Sequence, residues 1–223
     1  MKTEHIQKQL DFFVRDKAHH AYRKPAEDVH ALAAEFAAQG LDDMQRSVAR
    51  LRYVLAQETP VVFPDERITL LRTVRTIPEI HTEEEDKRLH ETHAFHENGR
   101  VFNMCPDYGM LMADGFTKKA EKIRAQLEKA ETAEQKEFLQ AMLDVLSIVT
   151  DFAARYREEA LRVGNLTVAD TLSKTRPKRF LRRCSSCACC TTPCGATATI
   201  TIPSAASTSS CTPITGTIWM RGF

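Results

Sequence analysis

The hydrophobic positions of this chain fall at helical spacing over most of its first 165 residues. Ile6, Leu10, Phe13 and Lys17 share a 3.6-residue period that Pro25 interrupts. Pro25 suits the first turn of a second helix, in which Val29, Leu32, Ala33 and Phe36 lie on one face and Gly40 provides the stop. A third helix opens at Asp42 or Asp43, buries Met44, Val48, Leu51 and Leu55, and ends at Thr59-Pro60. Arg46, Arg50 and Arg52 fall on its other face, which is expected to be solvated.

Between Pro60 and Phe116 the pattern changes to short apolar runs separated by charged turns. Val61 to Phe63 and Ile68 to Val74 are rich in β-branched residues and predict short extended segments, without a partner strand at hairpin spacing. Thr82 with Glu85 forms a capping box for a helix through about His93. Glu97-Asn98-Gly99 marks a turn, and Pro106-Asp107 opens a short helical turn that ends near Gly115.

Two stronger helices come next. The first runs from Thr117 to about Lys129, and Thr132 with Gln135 caps the second. Phe138, Met142, Val145, Val149, Phe152 and Tyr156 alternate at steps of four and three, an apolar seam along a helix of about eight turns. Gly164-Asn165 closes it, and the short connection before it predicts an antiparallel hairpin. The expected fold class is therefore mainly α with a little β.

Composition divides the chain. At 43% hydrophobic and 27% charged it is a globular sequence long enough for one or two cores. No apolar run has the length of a membrane span, and the start MKTEHIQKQLDFF lacks a signal-peptide layout, so a cytoplasmic location is expected. The net charge of +1 conceals an asymmetry. All 30 acidic residues lie at or before Asp170, against 24 basic ones, whereas seven basic residues and no acid come after it. Of seven cysteines, Cys105 stands alone and six lie between Cys184 and Cys211.

Each cluster with chemical potential has a plainer explanation. His90, His93 and His96 form H-x-x-H-x-x-H, but a helical step of three turns about 300°, so the outer pair points about 120° apart and does not easily share one ion. An exposed face among Glu91, Glu97 and Arg88 is expected instead. Cys105 lies before the turn at Pro106, where a thiol pKa can be depressed, yet no sequence feature supplies a base. The run Lys174 to Arg183 has the charge of a nucleic-acid patch without a recognisable binding fold around it. Cys184-x-x-Cys187-x-Cys189-Cys190-x-x-x-Cys194 contains one zinc half-site but no second half-site. No catalytic, cofactor-binding or metal-ligating residue is assigned, and neither nucleic acid nor membrane is an expected partner.

Pro60-Val61-Val62-Phe63-Pro64-Asp65-Glu66-Arg67-Ile68, Pro106-Asp107-Tyr108, Gly115-Phe116 and Ala153-Ala154-Arg155-Tyr156 carry a resemblance. With them, the chain from about Val48 to Phe180 resembles the N-terminal region of the glycyl radical enzymes, the pyruvate formate-lyase family. The resemblance implies an N-terminal fragment of an α/β barrel, with residues 1–180 as a partial domain. For full-length relatives it implies a glycyl radical installed by a radical S-adenosylmethionine activating enzyme that carries an iron–sulfur cluster. The radical passes to a cysteine that attacks a small-molecule substrate, in C–C lyases such as formate acetyltransferase or in dehydratases. A homodimer is compatible with it. Cys105 matches neither the working cysteine nor the radical glycine motif, so this chain alone is expected to be inactive.

Residues 181–223 fit out-of-frame translation. Read one base earlier, each cysteine codon becomes N-T-G, which encodes Leu, Met or Val. Cys184, Cys187, Cys190 and Cys194 then become apolar at steps of three, three and four, as in an amphipathic helix. The stretch from Arg183 to Gly195 can encode A-L-Q-F-L-R-M-L-H-Y-A-L-W, and later codons permit N-T-I-G-R-F-D-Q and M-Y-P-Y-Y. The latter two resemble segments that glycyl radical enzymes carry just after this region. As written, the tail is low in complexity and expected to be disordered. The rival from another class is a small helical protein-interaction module whose basic, Cys-rich tail binds a partner or zinc.

Overall fold

A computed structural model describes residues 4–67, 69, 71–93 and 108–173, with side chains of the last stretch described from 114 onward. Its longest element is α6 (Ala133–Arg162), about 45 Å of helix. The predicted capping box starts it: Thr132 Oγ1 accepts from Gln135 N at 3.1 Å, and Gln135 Oε1 accepts from Thr132 N at 3.3 Å. α5 (Tyr108–Leu127) bends at Gly115 (φ 71°, ψ −178°), as the predicted break there requires. It folds back on α6, and α3 (Asp43–Gln57) and α7 (Leu166–Leu172) pack on α6 as well.

The core therefore gathers on one half of α6. Ile148, Val149, Phe152, Tyr156 and Ala160 are buried there with Leu55 of α3, Val62, and Val168 and Ala169 of α7. Towards its N-terminus the same seam opens: Met142 and Val145 are half-buried, and Phe138 is 46% exposed. The spacing predicts burial along the whole seam. Among the described residues, only the C-terminal half lies under both α3 and α7.

Gly164 ends α6 in the left-handed region (φ +78°). Its N–H donates to Leu161 O (3.1 Å) and that of Asn165 to Ala160 O (2.8 Å), so two terminal carbonyls are satisfied and the chain turns sharply into α7. Gly40 closes α2 (Ala31–Ala38) by the same pair of bonds, Gly40 N to Ala37 O and Leu41 N to Phe36 O. α3 begins on Asp42, which accepts from Gln45 N at 2.8 Å. α4 (Glu83–Glu91) begins on Thr82, as predicted, and stops two residues before left-handed His93.

Three expectations near the N-terminus are corrected. α1 (Glu4–Leu10) runs into one wide turn, Asp11–Arg15, and breaks at Lys17 (φ 51°) instead of continuing towards Pro25. The break lets Phe12 and Tyr22 return to the same ring, edge-on to Phe63 at 5.2 and 5.9 Å. Pro25 does not open a helix either, because the backbone there is engaged elsewhere. Lys24 N donates to Thr73 O (2.8 Å), Glu27 N to Thr76 Oγ1 (2.9 Å) and Glu79 N to Val29 O (2.6 Å). α2 consequently starts six residues later, and Val29 is 42% exposed while Ala33 and Phe36 are buried.

The described residues are mainly helical, as expected; the predicted extended segments pair into no strand among them, and Ile68 and Leu70 lie outside them. Around 71–80, scattered bonds to other segments and to a buried carboxylate take the place of a ladder. No described helix is long and apolar enough to cross a membrane. Glu97-Asn98-Gly99, Pro106-Asp107 and the tail 181–223 lie outside the described residues.

Candidate functional site

The densest polar cluster forms where α3 ends. Glu58 is the residue after that helix, and its extended backbone (φ −65°, ψ 127°) turns the side chain inward. The carboxylate is 0% exposed and lies 3.1 Å from Arg72 Nε. It accepts from Thr73 N, from Thr73 Oγ1 (3.2 Å) and from Val74 N (3.3 Å). A buried carboxylate is tolerable only when paired and hydrogen-bonded in this way.

α6 closes the cluster from the other side. Arg155 donates to the carbonyls of Leu55, Ala56 (3.4 Å) and Glu58 (3.0 Å), supplying donors and positive charge to the C-terminus of α3. The Phe152 ring lies beneath both guanidinium groups, 5.9 Å from Arg72 and 5.8 Å from Arg155. Tyr156 Oη donates to Leu71 O at 3.2 Å. One turn of α6 thus fastens α3 to the 71–74 segment. The enclosed carboxylate has no open face for a substrate, so the arrangement acts as a joint.

A second joint corrects the expectation for Arg46, which is 7% exposed and not solvated. It donates to Ile80 O (3.0 Å) and Leu41 O (2.8 Å) and grips Glu85 with both terminal nitrogens (2.8 and 3.0 Å). Glu85 also accepts from Thr82 N (2.9 Å), so one carboxylate caps α4 and holds it to α3. The Arg46 guanidinium pulls the Glu85 pKa down to about 2, aided by the Thr82 N–H and against the cost of burial. His81 Nε2 lies 2.9 Å from Asp43 Oδ1 on the same seam.

A pyruvate formate lyase-like family model matches residues 72–170. This stretch is similar to that family. The matched stretch is a little under half of the chain and covers α4 to α6 and most of α7, together with Arg72, Thr73, Phe152, Arg155 and Tyr156. It contains three of the four quoted motifs: Pro106 to Tyr108, Gly115-Phe116 and Ala153 to Tyr156. Pro60 to Ile68 and Glu58 precede it. No curated protein and no solved structure matches the chain significantly.

Among the described residues, the two remaining histidine candidates of the pyruvate formate lyase-like stretch lie at the end of α4. His90 Nδ1 lies 2.8 Å from Asp86 O on the exposed end of α4, and His93 is left-handed beyond its end. No group of three or more metal-ligating side chains occurs among the described residues. His96, Cys105, the basic run from Lys174 and the six later cysteines lie outside them.

The residues that organise the family stretch were the ones periodicity could not single out. Arg155 sits between two seam positions and has the local signature of any surface cation. Asn165, recognised only as part of a helix stop, is 4% exposed; it caps α7 through Val168 N (3.0 Å) and donates to Phe63 O (2.9 Å) and Glu66 O (2.7 Å). The available signals were an acid before Thr59-Pro60 and the Arg155-Tyr156 pair on the apolar seam.

Proposed function

We propose that the chain is the N-terminal part of a cytoplasmic glycyl radical enzyme of the pyruvate formate-lyase type, a helical scaffold segment that does not turn over substrate by itself. The observation that carries this is the family match over 72–170, which spans α4 to α6 and most of α7 and includes Arg155 and Tyr156. Within such a segment the polar groups are used in joints between elements. In the full-length protein, a radical S-adenosylmethionine partner would generate a glycyl radical for C–C cleavage or elimination of water on a small molecule. Residues from about 181 onward are the product of a shifted reading frame.

Two experiments test this. The coding DNA is resequenced from the Phe180 codon past that of Phe223; a one-base change that reopens a long frame ending in a radical-glycine motif is the expected result. A frame confirmed as written, closing after Phe223, would remove the shifted-frame explanation. The purified 223-residue chain is also incubated anaerobically with a family activating enzyme and candidate substrates. No turnover is expected, and any turnover lost with the chain's removal would overturn its role as an inactive segment.

The half-exposed N-terminal half of α6, with Phe138 46% exposed, favours a second reading as a helical interaction module. A module melts cooperatively as a defined monomer or oligomer, whereas a severed segment self-associates through this face.

A further inference from the structure

Away from both joints, an open cleft of about 400 Å³ is lined by His20, Arg23, Lys24, Pro25 and Arg75. Its four ionisable lining groups are all basic. They come from two distant segments, which are held side by side by Lys24 N to Thr73 O (2.8 Å) and Glu27 N to Thr76 Oγ1 (2.9 Å). Pro25 fixes the backbone direction beside Lys24. The positive charges therefore converge because the backbone is fastened, and not because loose side chains happen to meet.

No acid among the described residues forms an ion pair with Arg23 or Arg75, and both side chains are exposed. Lys24 Nζ donates to Gln57 O at the end of α3, which anchors its charge at the cleft wall. Glu27 lines the adjoining recess, where its carboxylate accepts from Tyr53 Oη at 3.0 Å. Desolvation, followed by the charges of Arg23, His19, Lys17 and Arg75, pushes the His20 pKa down.

We propose that this cleft binds the phosphate group of a small phosphorylated molecule. Two planar guanidinium groups and an imidazole offer several donors to one anion, and their combined charge suits a phosphate dianion better than a single carboxylate. The volume lies within the range of about 300–1,000 Å³ usual for small-molecule sites. Residues 20–25 precede the family-matched stretch and Arg75 lies in it, so the site joins the two parts of the chain.

The test titrates the full 223-residue chain with inorganic phosphate and with glycerol 3-phosphate, monitored by calorimetry and by the NMR titration of His20. Saturable binding is expected, with competition between the two ligands and a rise in the His20 pKa on binding. Arg23→Ala/Arg75→Ala should weaken binding about tenfold or more while helical circular dichroism stays unchanged. Lys118→Ala/Lys129→Ala, which removes two exposed cations elsewhere, should change affinity less than about twofold. If the double arginine variant loses helicity, Arg75→Gln in the folded protein makes the same comparison. Absence of saturable binding, or equal losses in the arginine and lysine variants, would overturn the proposal.

Discussion

Glu85 illustrates how one side chain couples local and tertiary structure. As a capping residue it needs only Thr82, but its second use, against buried Arg46, ties α4 to α3. Its folded pKa of about 2 lies below the ordinary value of 4.5, so the stabilisation is present above about pH 4.5 and is lost as the pH falls towards 2. Because a quarter of the Glu85 side chain remains exposed, solvent screening reduces this to about 1–2 kcal/mol. Glu85→Gln should lower stability by about 1–3 kcal/mol at pH 7 and flatten the loss of stability between pH 4.5 and 2. Urea unfolding at pH 7 and pH 3 measures both effects; an unchanged acid limb would show that the Arg46–Glu85 pair is energetically silent.

At the scale of elements, α6 carries a seam that is regular in sequence and uneven in burial. Phe152 is 3% exposed beneath two guanidinium groups, whereas Phe138 is 46% exposed. Phe152→Ala should therefore cost about 3–5 kcal/mol, and Phe138→Ala less than about 1 kcal/mol. Equal costs in denaturant titrations would mean that the N-terminal half of α6 is covered in solution. The turn into α7 depends on Gly164. A Cβ built there meets nothing within 4 Å, so the cost of Gly164→Ala comes from the left-handed backbone, about 1–2 kcal/mol. Thermal unfolding of that variant checks this cost.

At the scale of the whole molecule, α3, α5 and α7 pack on α6, yet its apolar seam continues past the core. On the proposed reading as a segment of a longer enzyme, this face would pack against further structure. The chain should consequently bind a hydrophobic dye and self-associate more than a protein with its reading frame restored. Light scattering and dye fluorescence compare the two, and a monomeric, dye-silent chain would favour the interaction-module alternative.

The sequence by itself determined the local elements of this protein. Capping boxes at Thr82 and Thr132, the helix stops at Gly40 and Gly164, the break at Gly115 and the period of α6 all depend on neighbours within about five residues. The family resemblance was legible for a similar reason, since its motifs are short runs. Tertiary structure alone decided that Arg46 is buried, that residues 25–30 stay non-helical, and that Arg155 closes α3 at a distance of nearly one hundred residues. Those outcomes depend on where distant carbonyls and carboxylates come to lie. A polar side chain has the same local signature whether it meets water or a buried partner, and only packing distinguishes the two.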